Sequence, residues 1–178
     1  MKKYLLNSPR LGFRQWEEAD LPAFIAINQD AAVMKHFPAT LPAEATEKLF
    51  RRFQQHFSDY GYCFFAADRL DTGRFIGFIG FSHPRFDSFF TPCVEIGWRL
   101  ARSEWGQGLA TEGAGTCLDY GFTQLGFQEV FSFTATTNKA SERVMQKIGM
   151  EKAGEFGHPL LEKDSPLYRH VLYRIGKS

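Results

Sequence analysis

The stretch VEIGWRL at 94–100, followed without a break by ARSEWGQGLATE at 101–112, decides how the rest of the chain folds. Its first half is a β-branched and aromatic run that reads as a strand over 94–100. The second half is a turn containing Gly106 and Gly108 that opens a helix over about 108–122. Glycines let backbone approach a ligand closely, and the first amides of a helix have no acceptor of their own and carry the positive end of its dipole. A phosphate, and in particular a cofactor pyrophosphate, suits such a turn. Two common phosphate patterns do not fit. A P-loop needs GxxxxGK[ST], and this loop holds no lysine; a dinucleotide fold needs GxGxxG after an early strand, whereas here the strand comes late and Ala110, Thr111 and Glu112 precede Gly113.

Working outward, the runs 62–67 and 75–81 predict strands joined by a turn at Asp71, Thr72 and Gly73, an antiparallel hairpin or meander leading into 94–100. Upstream, 10–16 predicts a first strand. Asp20, Leu21 and Pro22 predict a helix start reaching about Asn28, and 42–57 predicts a second helix with Leu49, Phe50, Phe53 and Phe57 on one face. Downstream come a strand at 130–136, a helix at 138–148, and strands near 150–156 and 170–175. In the last helix Asn138 is placed as an N-cap, Ser141, Val144, Met145 and Ile148 share a face, and Gly149 is placed as a C-cap. A meander followed by alternating strand and helix predicts mixed α and β in one sheet.

At 178 residues, 44% hydrophobic and 23% charged, the chain is expected to form one globular domain over 1–178. Twenty-one basic against twenty acidic side chains argue against a broad basic surface for nucleic acid or anionic membrane. Cys63, Cys93 and Cys117 make no disulfide framework and show no metal-ligand spacing, which points to a reducing compartment. The opening MKKYLLNSPRL does not read as a signal peptide, and no stretch approaches the ~20 apolar residues of a membrane span, so a cytoplasmic location is expected. The nineteen phenylalanines predict an aromatic core, with some left to line an apolar pocket. No Ser/His/Asp set, CxxC pair or HExxH helix supports hydrolytic or metal chemistry, and no metal is expected.

Taken together, VEIGWRL, WGQGLATE (105–112) and NKASERVMQKIGM (138–150) resemble the GCN5-related N-acetyltransferase (GNAT) superfamily, and within it the RimJ/RimL-like branch of ribosomal-protein N-acetyltransferases. RLGFRQWEEADL (10–21), TGRFIGFIGF (72–81) and HVLYRI (170–175) fall in the same family order. The resemblance implies an α+β acyl-CoA N-acyltransferase fold: a mostly antiparallel twisted sheet of about six to seven strands with a splayed parallel pair, flanked by about four helices. It implies acetyl-CoA as cosubstrate and an amine as acceptor. In such proteins the pantetheine arm lies in the splay against backbone groups, here those of Trp98, Arg99 and Leu100. The amides of Trp105, Gly106, Gln107, Gly108, Leu109 and Ala110, with Thr111 beside them, would face the pyrophosphate. Asn138 and Ser141 would approach the arm and its sulfur, and Met145 stands where many members carry the tyrosine that protonates the departing thiolate. Ser103 departs from the usual Gln or Arg at the first position of the family loop. Gly113 and Gly115 inside the helix are expected to pack closely on the sheet.

With no phenol at Met145, Ser141 is the best local substitute, holding the thioester sulfur directly or through water; thiols ionise near pKa 8.5, so CoA leaves without a strong acid. The reaction implied is direct attack by the amine, with a fourth-strand amide holding the oxyanion. An α-amine of pKa about 7.7–8.0 needs little help from a base, whereas a Lys-type amine near 10.4 needs more. Alternation sets Glu95, Gly97 and Arg99 opposite Val94, Ile96, Trp98 and Leu100, which makes Glu95 the first candidate base, acting through water. The competing reading is a structural ion pair of Glu95 with Arg99 or another arginine. His83 is the second candidate, against a surface or capping histidine. His158 is expected at the acceptor mouth, while His36, His56 and His170 read as structural. The early helices and the loops at 83–91 and 158–166 are expected to shape the acceptor pocket. The function expected is acetyl transfer to a protein N-terminal α-amine or a small-molecule amine by a monomer or homodimer that binds neither nucleic acid nor membrane. A non-catalytic acyl-CoA-binding module is the alternative.

Overall fold

A computed structural model describes residues 3–177; Met1, Lys2 and Ser178, and with them the start of the stretch weighed above as a signal, lie outside the described residues. Eight strands, β1 (Leu6–Asn7), β2 (Leu11–Arg14), β3 (Phe64–Arg69), β4 (Phe75–Ser82), β5 (Glu95–Leu100), β6 (Glu129–Ala135), β7 (Glu151–Gly157) and β8 (Arg169–Gly176), form one sheet in the order β1-β2-β3-β4-β5-β6-β8-β7. Every neighbouring pair is antiparallel except β5 and β6. The helices are α1 (Leu21–Gln29), α2 (Ala43–Tyr60), α3 (Leu109–Thr123) and α4 (Lys139–Lys147). The strand beyond the expected six or seven is β1, whose two residues pair with Phe13 and Gly12 and are too few to show a period.

Alternation along the strands gives the sheet two different faces. On one, Phe24 of α1 and Phe50 and Phe53 of α2 close on Trp16, Phe64 and Phe78, with Phe53 edge-on to both Phe64 and Phe78 at 5.3 Å. Farther along the same face, over β6 and β8, Phe90, Phe156 and Leu172 form a separate cluster with Phe86, Phe131 and Phe133. Glu95 is in register with Phe131, so its side chain emerges at the seam between the two aromatic layers. The other face carries α3. A Cβ on Gly113 would lie 2.4 Å from Ile79 Cδ1 and 3.0 Å from Phe13 Cζ, so only glycine lets the helix sit this low. Gly115 meets nothing within 4 Å, and the close packing expected of both glycines holds for Gly113 alone.

One fully buried polar group ties the first helix to the sheet. Arg14 grips Asp68 with its Nε–Nη2 edge and Asp20 with its Nη1–Nη2 edge, all four bonds at 2.8 Å. Burial works against this charge, but the bonds to Asp20 and Asp68 outweigh it and push the guanidinium pKa up. Among the described residues no helix is long and apolar enough to cross a membrane. Burial also holds the Cys63 and Cys117 thiols well above the usual range.

Candidate active site

β5 and β6 share the single register pair Glu95–Phe131, reinforced by Phe131 N–H donating to Val94 O at 2.9 Å and Ser132 Oγ–H donating to Ile96 O at 3.0 Å. Beyond Ile96, β5 runs on to Leu100 while β6 pairs with β8 along its length, so the sheet opens. Backbone groups of alternate residues point to opposite sides of a strand. Because the carbonyls of Val94 and Ile96 face β6, those of Trp98 and Leu100 face the opening, whereas Arg99 faces β4 and its register partner Phe78. Arg99 backbone therefore leaves the set expected to hold a pantetheine arm. The Leu100 carbonyl already accepts from Trp105 Nε1 at 3.1 Å.

At the end of β5 a 3-10 turn over Arg102–Glu104 folds Trp105 N–H onto Arg102 O at 3.2 Å, which removes that amide from the expected pyrophosphate set. Gly106 and Gly108 then take left-handed φ of +72° and +75°, a conformation that excludes most side chains, and Gly108 caps α3. The first helical bond is Glu112 N–H to Gly108 O at 3.0 Å. The amides of Gly106, Gln107, Gly108, Leu109, Ala110 and Thr111 have no acceptor among the described residues. A Cβ on Gly106 would meet nothing within 4 Å, so the approach to them is open.

Two arginines that no spacing pointed to brace this loop. Arg10 donates from Nη1 to Gln107 O at 3.0 Å, and Arg69 donates from Nη1 to Gln107 Oε1 at 3.0 Å. Gln107 Nε2 reaches back to Ser103 O at 3.2 Å, while the Ser103 hydroxyl turns to Glu104 at 3.4 Å. Buried Glu104 also receives Arg74 at 2.8 Å and Arg69 at 3.4 Å. Beside the amides, Glu112 is bonded by Ser8 Oγ and by Arg10 Nε, each at 2.7 Å. Burial tends to raise the Glu112 carboxyl, but these bonds hold it below the ordinary range, and the Arg10 charge offsets its own. The helix start thus keeps its pull on an anion.

The side chains of β5 divide as alternation predicts. On the α4 side, Trp98 Nε1 donates to Ser141 Oγ at 3.2 Å, which leaves the hydroxyl hydrogen of Ser141 free to donate elsewhere. Asn138 acts as the expected N-cap, with Oδ1 accepting from Ser141 N–H at 3.3 Å and Nδ2 donating to Thr134 Oγ1 at 3.0 Å. Met145 is 1% exposed and belongs to the main core, so it does not line the opening as expected. On the other side, the Glu95 carboxylate makes no ion pair or hydrogen bond among the described residues, and Arg99 turns away to Asn28 Oδ1 at 2.7 Å. Among the described residues no arginine stands within ion-pair distance of Glu95, Arg52 acting on it only from farther away. Burial pushes Glu95 up to about 7, offset in part by Arg52 on α2.

His83 Nε2 lies 2.9 Å from the Tyr62 hydroxyl, in a cluster with His56 and Tyr60, and among the described residues no hydrogen bond joins it to Glu95. The two loops expected to shape the acceptor side meet through the rings of Phe86 and His158, 4.6 Å apart. His170 packs on Phe156 and His158, and burial, followed by the charge of His158, lowers it to about 4. No cluster of three or more His, Cys, Asp or Glu among the described residues is placed to hold a metal ion.

Residues 10–151 match the family described as Acetyltransferase (GNAT) domain. The Bacillus subtilis (strain 168) protein YkkB is 32% identical over 149 residues, covering 83% of this chain and 86% of YkkB. Among solved structures, the acetyltransferase from Agrobacterium tumefaciens str. C58 superposes with a TM-score of 0.79 at 25% identity over 99% of this chain and 96% of that one. RimL, a ribosomal L7/L12 alpha-N-protein acetyltransferase in complex with coenzyme A, gives a TM-score of 0.78 over 98% of both chains at 16% identity, a likeness of fold.

Proposed function

Because the chain belongs to the GNAT acetyltransferase family, we propose that it moves the acetyl group of acetyl-CoA to a primary amine by direct attack within a ternary complex. The observation that carries this reading is the opening of the sheet past the Glu95–Phe131 pair, with unpartnered helix amides at its far end. The residues present suit the cosubstrate. The amides from Gly106 to Thr111 would hold its diphosphate, with the Arg10 charge nearby, and the backbone groups of Trp98 and Leu100 would run beside its pantetheine arm. Acetyl-CoA supplies an activated acyl group on a good leaving thiol; the protein's task is to position it and to move protons.

One side of β5 would take a proton from the amine and the other would offer a hydrogen to the departing sulfur. Glu95 would remove one from the acceptor amine, directly or through water, and its ionisation near 7 suits that work at neutral pH. Ser141, with its oxygen already accepting from Trp98, would turn its hydrogen toward the departing sulfur. A strand amide facing the opening would stabilise charge developing on the acetyl oxygen. The test is acceptor-dependent release of free CoA thiol from acetyl-CoA across panels of peptides and small amines, together with calorimetric titration of CoA. Release and binding are expected. CoA binding with no release from any acceptor would leave a binding module, and failure to bind CoA would overturn the reading altogether.

A further inference from the structure

Arg14 is a buried and Arg99 a half-buried arginine of the same sheet, and their partners differ. Arg14 has two carboxylates, one on each edge of its guanidinium. Among the described residues Arg99 has none. Its planar head lies over the rings of Phe37 at 4.4 Å and Phe78 at 5.3 Å, and its one polar partner among the described residues is the neutral Oδ1 of Asn28 at 2.7 Å. Asn28 is 0% exposed and is itself oriented by Nδ2 donating to Thr46 Oγ1 at 3.3 Å, and Thr46 is also 0% exposed. Nε of Arg99 is buried with no partner. Nη2 has no protein acceptor among the described residues yet is not buried, so it faces an opening. The Nε–Nη2 edge that Arg14 uses to grip Asp68 is, in Arg99, left without a carboxylate.

Taking a guanidinium out of water is costly, and the cost is recovered only by an anion with matching geometry. A prearranged Thr46–Asn28–Arg99 chain, fully buried at Thr46 and Asn28 and half-buried at the arginine, is therefore half of an ion pair. Its location says what supplies the other half. Arg99 projects from the same face of β5 as Glu95, four residues or about 13 Å of strand away, with side-chain-free Gly97 between them. Near Glu95 the surrounding charge is also positive: Arg52 acts on Glu95, Arg85 acts on Arg52, and neither arginine has a carboxylate within ion-pair distance among the described residues. One carboxylate to meet an amine and a set of unpaired arginines beside it describe a zwitterion.

We infer that the acceptor is a small amine that carries a carboxylate, and that Arg99 is the residue that reads the carboxylate. This rests on the acetyl-transfer reading above and narrows its substrate class. A bidentate, charge-assisted contact in an enclosed site favours the carboxylated acceptor over its neutral isostere by ten- to a hundredfold in kcat/KM. Polyamines, which bring extra positive charge to this face, are expected to be poor acceptors.

The test pairs amino acids with their amides: glycine, β-alanine and 4-aminobutyrate against glycinamide, β-alaninamide and 4-aminobutyramide, with spermidine as the cationic control. Wild type is compared with Arg99→Gln, Arg99→Lys and Asn28→Asp, each checked for folding by thermal melting. Comparing the acid-to-amide ratio between proteins cancels the different basicity of the amines. Wild type is expected to favour the acids at least tenfold, with the ratio collapsing in Arg99→Gln and recovering in part in Arg99→Lys. Asn28→Asp keeps Arg99 but gives it an internal counter-ion, and is expected to lose the preference while melting higher. A wild type that favours amides, spermidine or a peptide without a nearby carboxylate would overturn the inference, as would an acid preference that survives both Arg99→Gln and Asn28→Asp. A second readout separates this from failure of acetyl transfer. N-acetylglycine and N-acetylglycinamide are titrated calorimetrically into the CoA-loaded protein; tighter binding of the acid in wild type but not in Arg99→Gln supports the inference even without turnover, and equal binding in both refutes it.

Discussion

Replacing Glu95 with glutamine separates its cost to folding from its use in catalysis. Burial raises the Glu95 carboxyl from the ordinary 4.5 to about 7. Below pH 4.5 the folded and unfolded chains both hold the proton, and Glu95 contributes no difference. Between 4.5 and 7 the unfolded chain releases the proton while the folded one keeps it, so stability falls as pH rises; above 7 the loss is complete. At 1.36 kcal/mol per pH unit the bound is about 3.4 kcal/mol, and partial contact of the side chain with water reduces this to about 2 kcal/mol. For a chain of this length that is about 4–8 °C in Tm. Glu95→Gln, neutral at every pH, is expected to melt with wild type at pH 4 and about 4–8 °C above it at pH 8.5, both without CoA. The same variant is expected to lose about 10²–10⁴ in kcat with Lys-type amines and less with α-amines, while wild-type kcat/KM rises to a plateau above pH 7. An equal melting difference at both pH values, or a wild type more stable than Glu95→Gln at pH 8.5, would refute the account of Glu95 as a half-buried carboxylate without an ion-pair partner.

Ser141→Ala should lower kcat about tenfold with KM for acetyl-CoA changed less than threefold, and should cost about 1 kcal/mol in a denaturant titration because Trp98 Nε1 loses its acceptor. Gly113→Ala should destabilise by about 2 kcal/mol, since its Cβ would strike Ile79, whereas Gly115→Ala, with open space around it, should stabilise by up to about 1 kcal/mol. Urea midpoints of the two variants test opposite signs within one helix. Asp68→Ala should cost about 3–5 kcal/mol by leaving part of the Arg14 charge uncompensated, a loss that calorimetry would register as a lower Tm at neutral pH.

What could be read from sequence is what depends on neighbours along the chain. The strand-turn-helix at 94–112 was legible because its glycines, its period and its cap lie within one short segment, and both glycines do take left-handed φ. Alternation correctly placed Glu95 opposite Trp98 because β5 keeps its register with β4 from Glu95 to Leu100 without a shift. The same rule, applied to backbone rather than side chains, would have turned Arg99 toward β4 and kept it off the expected list. Contacts made across the fold were not legible. Arg14 meets Asp68 across 54 residues, and Arg10 meets Glu112 across 102, with no spacing to connect them. Trp105 was misread for a local reason: a 3-10 turn of three residues is too short to leave a pattern, yet it consumes the Trp105 amide.

These differences follow from how the two sides of β5 are made. The CoA side would be built from amides and carbonyls, which every residue carries, so its demands appear in the sequence as glycine spacing and a helix start. The acceptor side of the proposed reaction would be built from side chains delivered by α1, α2 and distant loops, and its selectivity would rest on which charges those elements leave unpaired. Asn28 shows how narrow that control is. Its side chain differs from aspartate by one group, it touches Arg99 from α1, and among the described residues its side-chain hydrogen bonds go to Arg99 and Thr46, not to the turn at 105–111. A change there is expected to alter which acceptors are accepted while leaving CoA affinity within a few-fold of wild type, and the two effects can be measured separately by acceptor kinetics and CoA calorimetry.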